Sequence, residues 1–338
     1  MEAFAGQAGV EKKILQSPEL PKIFAQIVEN YTAGSPTDES VRWTGLRPLE
    51  LRQRLKEHNY EVSDYIVHQL LDNAGLTRRS YLKAACLNKV PRRNDQFERI
   101  GVLKERFLEL GMPVLSIDTK QKELLGNFHR AGQYYDKVHR KVNDHDFKSA
   151  AQGLVIPHGI YDVGDNFGYL TLGNSHDTSA FVCDNLAHFW QSDLQWKYPQ
   201  AEWMLLLCDG GGSNNSRHYL VKEDLWFLAQ VLDINIVVAH YPPYCSKWNP
   251  IEHRLFAHVH QAWKGAVFHN IQIVKELADK TQTKTGLETK VWINPKQYQT
   301  GRKPTTVFTE NIHDFVQFDQ DLPQWNYSIL KQNREFVF

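Results

Sequence analysis

The spacing of the hydrophobic residues changes near residue 113, and this change divides the chain into two predicted regions. Before it, apolar residues recur at helical spacing, as in Ile66, Val67, Leu70 and Leu71. After it, short apolar runs of strand length alternate with amphipathic helical patterns. We therefore predict an all-α region followed by a mixed α/β domain.

The first region is predicted to contain three helices. One spans about residues 20–31, a second runs from Pro48 to His58-Asn59, and a third follows the N-cap candidate Ser63 and ends at Gly75. Two short helices joined by a tight turn fit a helix-turn-helix, although a helical hairpin without a ligand fits the pattern as well. In the helix-turn-helix interpretation, the residues that face DNA are Asp64, Tyr65, His68 and Gln69.

Strands and helices follow one another from residue 113 in the predicted order βββαβαβα. Three antiparallel strands followed by two strands that are joined through helices predict a mixed sheet with helices on its faces. The predicted strands are 114–118 (resuming at 124–128), 156–163, 167–172, 204–208 and 234–239, and the helices are 177–196, 219–232 and one that starts at Asn249-Pro250.

Three carboxylates occupy comparable places in this predicted sheet. Asp118 lies in the first strand, Asp209 follows the fourth, and Glu252 lies in the first turn of the helix after the fifth. Ligand sites of open α/β sheets lie near strand ends, so the three side chains can converge. Clustered carboxylates repel one another unless a cation neutralises them, and such oxygen ligands suit Mg²⁺ or Mn²⁺. Two ions of this kind can promote phosphodiester displacement.

Each carboxylate also has a structural interpretation. Asp209-Gly210 is a common turn dipeptide. Glu252 lies three residues after Asn249, so it can complete a capping box at the start of its helix. Asp118 is the hardest to explain structurally, because aspartate is disfavoured inside strands. The pattern alone indicates a candidate metal site and leaves both interpretations open.

Composition indicates the cellular compartment of the protein, and the distribution of charge reveals one basic segment. The chain has 338 residues and no formal net charge, and no apolar run approaches the roughly 18 residues of a membrane helix. Four cysteines without a CxxC pair favour a reducing, cytoplasmic compartment. The stretch Thr77–Arg106 holds nine basic and three acidic residues. It fits a phosphate-binding segment and a solvated helix surface about equally well.

Three motifs that contain the carboxylates resemble, in the same order, those of a known protein family. They are Ser116-Ile-Asp-Thr-Lys-Gln-Lys-Glu-Leu-Leu-Gly-Asn-Phe128, Cys208-Asp-Gly-Gly-Gly-Ser-Asn214 and Ser246-Lys-Trp-Asn-Pro-Ile-Glu-His-Arg-Leu-Phe256. Further matches are Arg42-Trp-Thr44, Ile156-Pro-His-Gly-Ile-Tyr-Asp162, Thr283-Lys-Thr-Gly-Leu287 and Gln324-Trp-Asn-Tyr327. Over most of its length the chain resembles the Rhodopirellula-type (ISAzo-type) DDE transposases of bacterial insertion sequences.

The resemblance implies an RNase H-like catalytic domain whose DDE triad is Asp118, Asp209 and Glu252, with two Mg²⁺ (or Mn²⁺) ions per active site. The implied reaction is hydrolysis at transposon ends, followed by attack of the freed 3′-hydroxyl on target DNA. Its partners would be DNA and further copies of the chain, as a homodimer or higher oligomer. The resemblance also implies a bacterial, nucleoid-associated protein that does not contact membranes.

The domain organisation that we expect follows from the pattern and the resemblance together. Residues 1–40 form an N-terminal helical segment, which is a candidate for truncation because family members carry more helical sequence there. Residues 41–85 form the helix-turn-helix, 86–112 a basic linker and helix, and 113–338 the catalytic domain with a C-terminal extension. The residues expected to contact DNA are Tyr65, His68, Gln69, Arg78, Arg79, Lys83, Arg92, Arg93, Lys247 and Lys284.

Two other functions are compatible with the sequence. The chain can be a transposase-derived DNA-binding protein without catalytic activity, or an RNase H-like nuclease without strand transfer. Three intact acidic residues favour an enzyme over the silent protein. The helix-turn-helix and the basic segment favour a transposase over a nuclease.

Overall fold

The computed structural model of the chain describes residues 17–34, 42–79, 90–133, 135, 137–139, 141–211 and 217–331. The chain divides into two units, Met1–Ala85 and Cys86–Phe338. Of the residues expected to contact DNA, Lys83 lies outside the described residues.

The N-terminal unit contains the three predicted helices, α1 (Glu19–Asn30), α2 (Pro48–Glu57) and α3 (Asp64–Asn73). A short antiparallel strand pair, β1 (Thr32–Gly34) and β2 (Arg42–Thr44), accompanies them. Each helix turns one apolar face towards a shared core, which is the arrangement that amphipathic spacing predicts. The buried core residues are Leu20, Phe24, Ile27, Val28, Leu51, Leu55, Ile66, Val67 and Leu70.

The larger unit alternates strands and helices as the sequence pattern predicts. Its helices are α4 (Arg93–Glu109), α5 (Ser179–Phe189), α6 (Gln195–Lys197), α7 (Tyr219–Leu232), α8 (Ala257–Trp263), α9 (Ile271–Asp279), α10 (Thr306–Glu310) and α11 (Ile312–Phe315). Its strands are β3 (Val114–Thr119), β4 (Glu123–Leu125), β5 (Gly153–Asp162), β6 (Phe167–Gly173), β7 (Trp203–Cys208), β8 (Asn235–His240), β9 (Glu288–Asn294), β10 (Val316–Phe318) and β11 (Asn326–Ile329). Short 3-10 turns cover Lys148–Ala150 and Ser246–Trp248, and π-helical segments cover Trp190–Leu194 and Glu252–Phe256.

These nine strands form one mixed sheet. Its order is β10-β11-β8-β7-β3-β5-β6-β9, and β4 pairs with β5 beside this path. Strands β3, β5 and β6 pair antiparallel in succession, whereas β7 and β8 continue the other side of β3 in parallel. The order third-second-first-fourth-fifth of these five strands is that of an RNase H-like sheet, so the predicted fold class is confirmed. The strand expected at 124–128 is shorter and covers only Glu123–Leu125.

Helices cover both faces of the sheet, which is why its central strands are apolar throughout. Strand β7 is buried from Met204 to Cys208, as expected for a parallel strand that is covered on both sides. Helices α5 and α7 pack on one face through residues such as Phe189 and Leu225. The helical segment around Leu255 and Val259 packs on the other face. None of the helices in the described ranges has the length and hydropathy needed to cross a bilayer.

Candidate active site

Asp118 and Asp209 lie beside each other at one end of the sheet. Ile117 of β3 pairs in parallel with Cys208 of β7, so the next residue of each strand points to the same face. Asp118 is only 9% exposed, and one oxygen of its carboxylate accepts a hydrogen bond from the Thr119 amide at 2.7 Å. Asp209 is half-buried at the point where the chain leaves β7.

Glu252 is brought over this strand end by a close helix–sheet contact. Its helical segment, Glu252–Phe256, packs against β5 at Gly159, the residue that pairs with Asp118 in the sheet. A Cβ atom at Gly159 would lie 2.5 Å from Phe256 Cε1 and 2.8 Å from Ile251 Cδ1. Only glycine therefore permits this approach, and the two residues it accommodates flank Glu252 in the sequence.

The three carboxylates interact electrostatically. The pKa of Asp118 is raised from 3.8 to about 8, first by burial, then by the charge of Asp209, and also by Glu252. The Thr119 amide opposes this shift in pKa because it donates to the ionised carboxylate. Burial and the two neighbouring carboxylates thus favour the neutral form of Asp118.

The described residues do not include three His, Cys, Asp or Glu side chains already drawn together around one ion position. The missing ligand geometry is compatible with the raised pKa of Asp118, because ligation and charge repulsion act over different distances. Ligation requires oxygens about 2.0–2.6 Å from a common point, whereas charges repel one another over several ångströms. Asp118, Asp209 and Glu252 are therefore neighbours that lie within the range of electrostatic interaction.

A pair of polar side chains joins the strand of Asp118 to the helical segment of Glu252. Ser116 Oγ donates to Asn249 Oδ1 at 2.5 Å and accepts from the Ile251 amide at 3.0 Å. Asn249 Nδ2 donates to the Ile117 carbonyl at 3.3 Å. The hydroxyl of Ser116 thus caps the helix from a neighbouring strand. Ser116 and Asn249 are both fully buried.

This arrangement corrects the capping interpretation of Asn249. The Asn249 side chain bonds to β3 and not to the amides of its own helix. The Asn249 amide donates to the Ser246 carbonyl, which leaves no place for a Glu252 side chain in a reciprocal capping box. Sequence reasoning found the helix start and missed the strand contact, because a long-range partner of a buried asparagine leaves no local pattern.

A second buried network holds the backbone at Asp209. His240 Nδ1 lies 3.1 Å from the Asp209 carbonyl, and the carbonyl of His240 accepts from Gln96 Nε2 at 2.9 Å. Gln96 and Asn326 exchange two amide hydrogen bonds of 2.8 and 2.7 Å. Burial lowers the pKa of His240 to about 4, so its imidazole is neutral near pH 7. None of these residues was predicted from the sequence.

The residues predicted on the DNA-facing side of α3 share one surface of that helix. Tyr65 and His68 are exposed, and Gln69 Nε2 donates to the Tyr65 hydroxyl at 3.3 Å. Arg78 and Arg79 follow α3 and are exposed as well. The structure thus gathers these side chains on accessible positions of the N-terminal unit.

The basic residues of the larger unit have different surroundings. Arg93 lies over the ring of Phe97 and Lys247 lies over that of Trp248, so residues 154 positions apart in sequence share one surface. Arg92 instead bonds to Asp95 and to the Asp321 carbonyl. Lys284 lies in the turn beside Asn166, at the opposite end of the sheet from Asp118, and is not brought to the candidate site.

The family of the chain is shown by its match to a family model. The model of the Rhodopirellula transposase DDE domain matches residues 24–331. The chain belongs to this transposase family. The match begins within α1 of the N-terminal unit and includes all elements that carry Asp118, Asp209 and Glu252. No curated protein matches this transposase-family chain.

Solved structures of Mos1 transposase show similarity over 73% of the chain. The paired-end complex with the left transposon end has 18% sequence identity, a TM-score of 0.43 and 72% of its chain covered. The strand transfer complex has 17% identity, a TM-score of 0.43 and 72% coverage. The mariner Mos1 paired-end complex with Mg has 18% identity, a TM-score of 0.44 and 75% coverage.

Proposed function

We propose that this transposase-family chain cuts DNA at transposon ends and joins the freed 3′ ends to target DNA, with Asp118, Asp209 and Glu252 as its catalytic carboxylates. The observation that carries the proposal is the coupling of these three groups at one sheet end. Burial first, and then the two neighbouring acids, raise the pKa of Asp118, and groups perturbed in this way concentrate at functional sites.

The donor set fits divalent ions. Three carboxylates from rigid elements offer hard oxygen ligands, and a cation between them would offset both the burial of Asp118 and its repulsion by Asp209 and Glu252. When bound, two Mg²⁺ or Mn²⁺ ions supply activation of the attacking oxygen and stabilisation of the leaving oxygen. The residues supply the placement: Asp118 and Asp209 from adjacent strand ends, and Glu252 from a helix capped by Ser116.

The remaining parts of the proposal concern the nucleic acid. Tyr65, His68 and Gln69 on α3 would read base edges, and Arg78 and Arg79 would bind phosphates. In the larger unit, Arg93 and Lys247 would contact DNA near the carboxylates. Paired transposon ends require at least two copies of the chain, so we propose a homodimer or higher oligomer on nucleoid DNA.

A cleavage assay with conservative variants tests the catalytic assignment. The substrate is a plasmid that carries the DNA flanking the coding sequence on both sides, incubated with Mg²⁺ or Mn²⁺. We expect Asp118→Asn, Asp209→Asn and Glu252→Gln each to abolish cleavage with retained circular dichroism, while the exposed control Asp165→Asn keeps full activity. A purified triad variant that still cuts the plasmid would contradict the assignment.

The same assay separates the two alternatives from a transposase. A silent DNA-binding protein would retard the plasmid DNA without cutting it. A nuclease would cut it without producing joined strand-transfer products. Anomalous diffraction from Mn²⁺-soaked crystals gives a test independent of activity, because the proposal requires its peaks to lie between Asp118, Asp209 and Glu252.

A further inference from the structure

A cluster of rings and cations borders the candidate active site. The loop between β8 and the Glu252 segment starts at Tyr241, whose amide donates to the Cys208 carbonyl next to Asp209, and it ends at the buried Asn249. Between these anchors the Trp248 side chain is 52% exposed. An aromatic residue four positions before Glu252 thus reaches solvent, although indole burial stabilises most folds.

The Trp248 ring is held in place by a neighbouring ring and by the turns of its own loop. Its edge meets Phe97 of α4 at a centroid distance of 6.1 Å, and Phe97 also contacts Tyr241 at 6.0 Å. Successive turns fix the loop backbone, because the Trp248 amide donates to Cys245 and the Cys245 amide donates to Pro242. The exposed ring is therefore ordered before any ligand arrives, which lowers the entropic cost of binding to it.

Two positive charges lie against these rings. Lys247 Nζ is 5.5 Å from the centroid of Trp248, and Arg93 Cζ is 5.7 Å from that of Phe97. Within the described part of the chain, neither Lys247 nor Arg93 forms an ion pair with a carboxylate, and the buried Nε of Arg93 makes no hydrogen bond. Charges of one sign beside an exposed ring match a ligand that combines anionic phosphates with flat, polarisable rings.

We propose that Trp248, with Phe97, Lys247 and Arg93, forms a stacking surface for an unpaired nucleobase of the DNA strand at the active site. The inference rests on the proposed function, since it takes DNA as the substrate. Stacking on an aromatic side chain tolerates any base, because every base has a π-face, and cations beside the ring bind the adjoining phosphates. This surface would hold the strand open beside the scissile phosphate.

Binding of labelled oligothymidylate, compared with a duplex of equal length, tests the stacking surface by fluorescence anisotropy. We expect Trp248→Ala to weaken single-strand binding about 5- to 150-fold and Trp248→Phe to restore most of it. Trp196→Ala is the matched control, because Trp196 is 74% exposed and lies near the other end of the sheet. Photocrosslinking with 5-iododeoxyuridine should label the peptide that contains Trp248.

The outcomes separate this inference from the proposed function. Unchanged single-strand affinity in Trp248→Ala, or crosslinks confined to other peptides, would overturn the stacking surface and leave transposase activity standing. A wild-type chain that binds neither oligonucleotide would overturn both. A Trp248→Ala variant that alters only self-association in gel filtration would identify the surface as a contact between copies and reject the nucleobase.

Discussion

Ser116 Oγ donates to Asn249 Oδ1 over 2.5 Å, and this bond links the strand of Asp118 to the helical segment of Glu252. The two residues are 133 positions apart, and each lies within three residues of a candidate catalytic carboxylate. Because Ser116 also accepts from the Ile251 amide, one hydroxyl fixes both the strand and the helix start. The distance between Asp118 and Glu252 thus depends on a contact that neither carboxylate makes.

Removing this contact should impair catalysis more than folding. We expect Ser116→Ala and Asn249→Ala each to lower the cleavage rate about 10- to 100-fold, the usual effect of losing groups that orient metal ligands. Each should also cost about 1–3 kcal/mol of unfolding free energy, because a buried polar partner is left unsatisfied. Plasmid cleavage and urea denaturation measure the two effects.

A double-mutant cycle shows whether the two side chains act as one unit. If they do, the variant with both substitutions should be hardly slower than either single variant. The control is Tyr198→Phe, which removes hydrogen bonds of 2.9 and 2.8 Å to Asp162 near the other end of the sheet. It should lose stability and keep its cleavage rate. Fully additive rate losses in the cycle would contradict the linked role.

Gly159 gives a steric test of the same geometry. A methyl group there would meet Phe256 and Ile251 at under 3 Å, so we expect Gly159→Ala to displace the Glu252 segment and to cost about 1–3 kcal/mol. Cleavage should fall strongly, and a second substitution, Phe256→Leu, should recover part of both losses.

Gly101→Ala provides the contrasting control. Its Cβ would meet nothing within 4 Å, and it lies inside α4, so this substitution should stabilise the chain by up to about 1 kcal/mol.

Wild-type cleavage by Gly159→Ala would show that the close helix–sheet approach does not position Glu252.

These two contacts show where sequence reasoning succeeds and where it stops. The succession of strands and helices, and the elements on which Asp118, Asp209 and Glu252 lie, follow from local spacing, because period and breaker residues act within a few positions of the chain. Gly159 lies inside a strand, and a glycine there indicates that another element approaches the strand closely. The sequence does not identify Phe256 as that neighbour. The bond from Asn249 to Ser116 depends on tertiary packing, and its local pattern is that of an ordinary helix cap.

The N-terminal unit should supply both specific and non-specific DNA affinity through different side chains. We expect Gln69→Ala or Tyr65→Ala to weaken binding to the transposon end by about 1–3 kcal/mol and to spare unrelated duplexes. Arg78→Ala should weaken binding to every duplex and reduce the salt dependence by about one counterion. Anisotropy titrations over a series of KCl concentrations measure both quantities. Equal losses on cognate and unrelated DNA in the α3 variants would argue against base readout by this helix.

His158 should make the larger unit sensitive to acid. It is fully buried on β5, its ring meets Phe181, and neither ring nitrogen has a hydrogen-bond partner among the described residues. Burial lowers its pKa from 6.5 to about 3. Below pH 6.5 the imidazole of His158 therefore binds a proton in the unfolded chain and stays neutral in the folded chain.

The sign of the pH dependence follows from this difference. The loss of stability that the titration of His158 causes is absent above pH 6.5, and it grows to a few kcal/mol as pH falls towards about 3. His158→Leu should flatten this part of the curve, and it should add stability at pH 7 because two unsatisfied nitrogens are removed. The exposed control His269→Leu should leave the curve unchanged. Urea denaturation between pH 4 and 7 gives the unfolding free energy of each variant as a function of pH. A His158→Leu curve parallel to that of wild type would show that His158 is protonated in the folded protein or that other groups dominate.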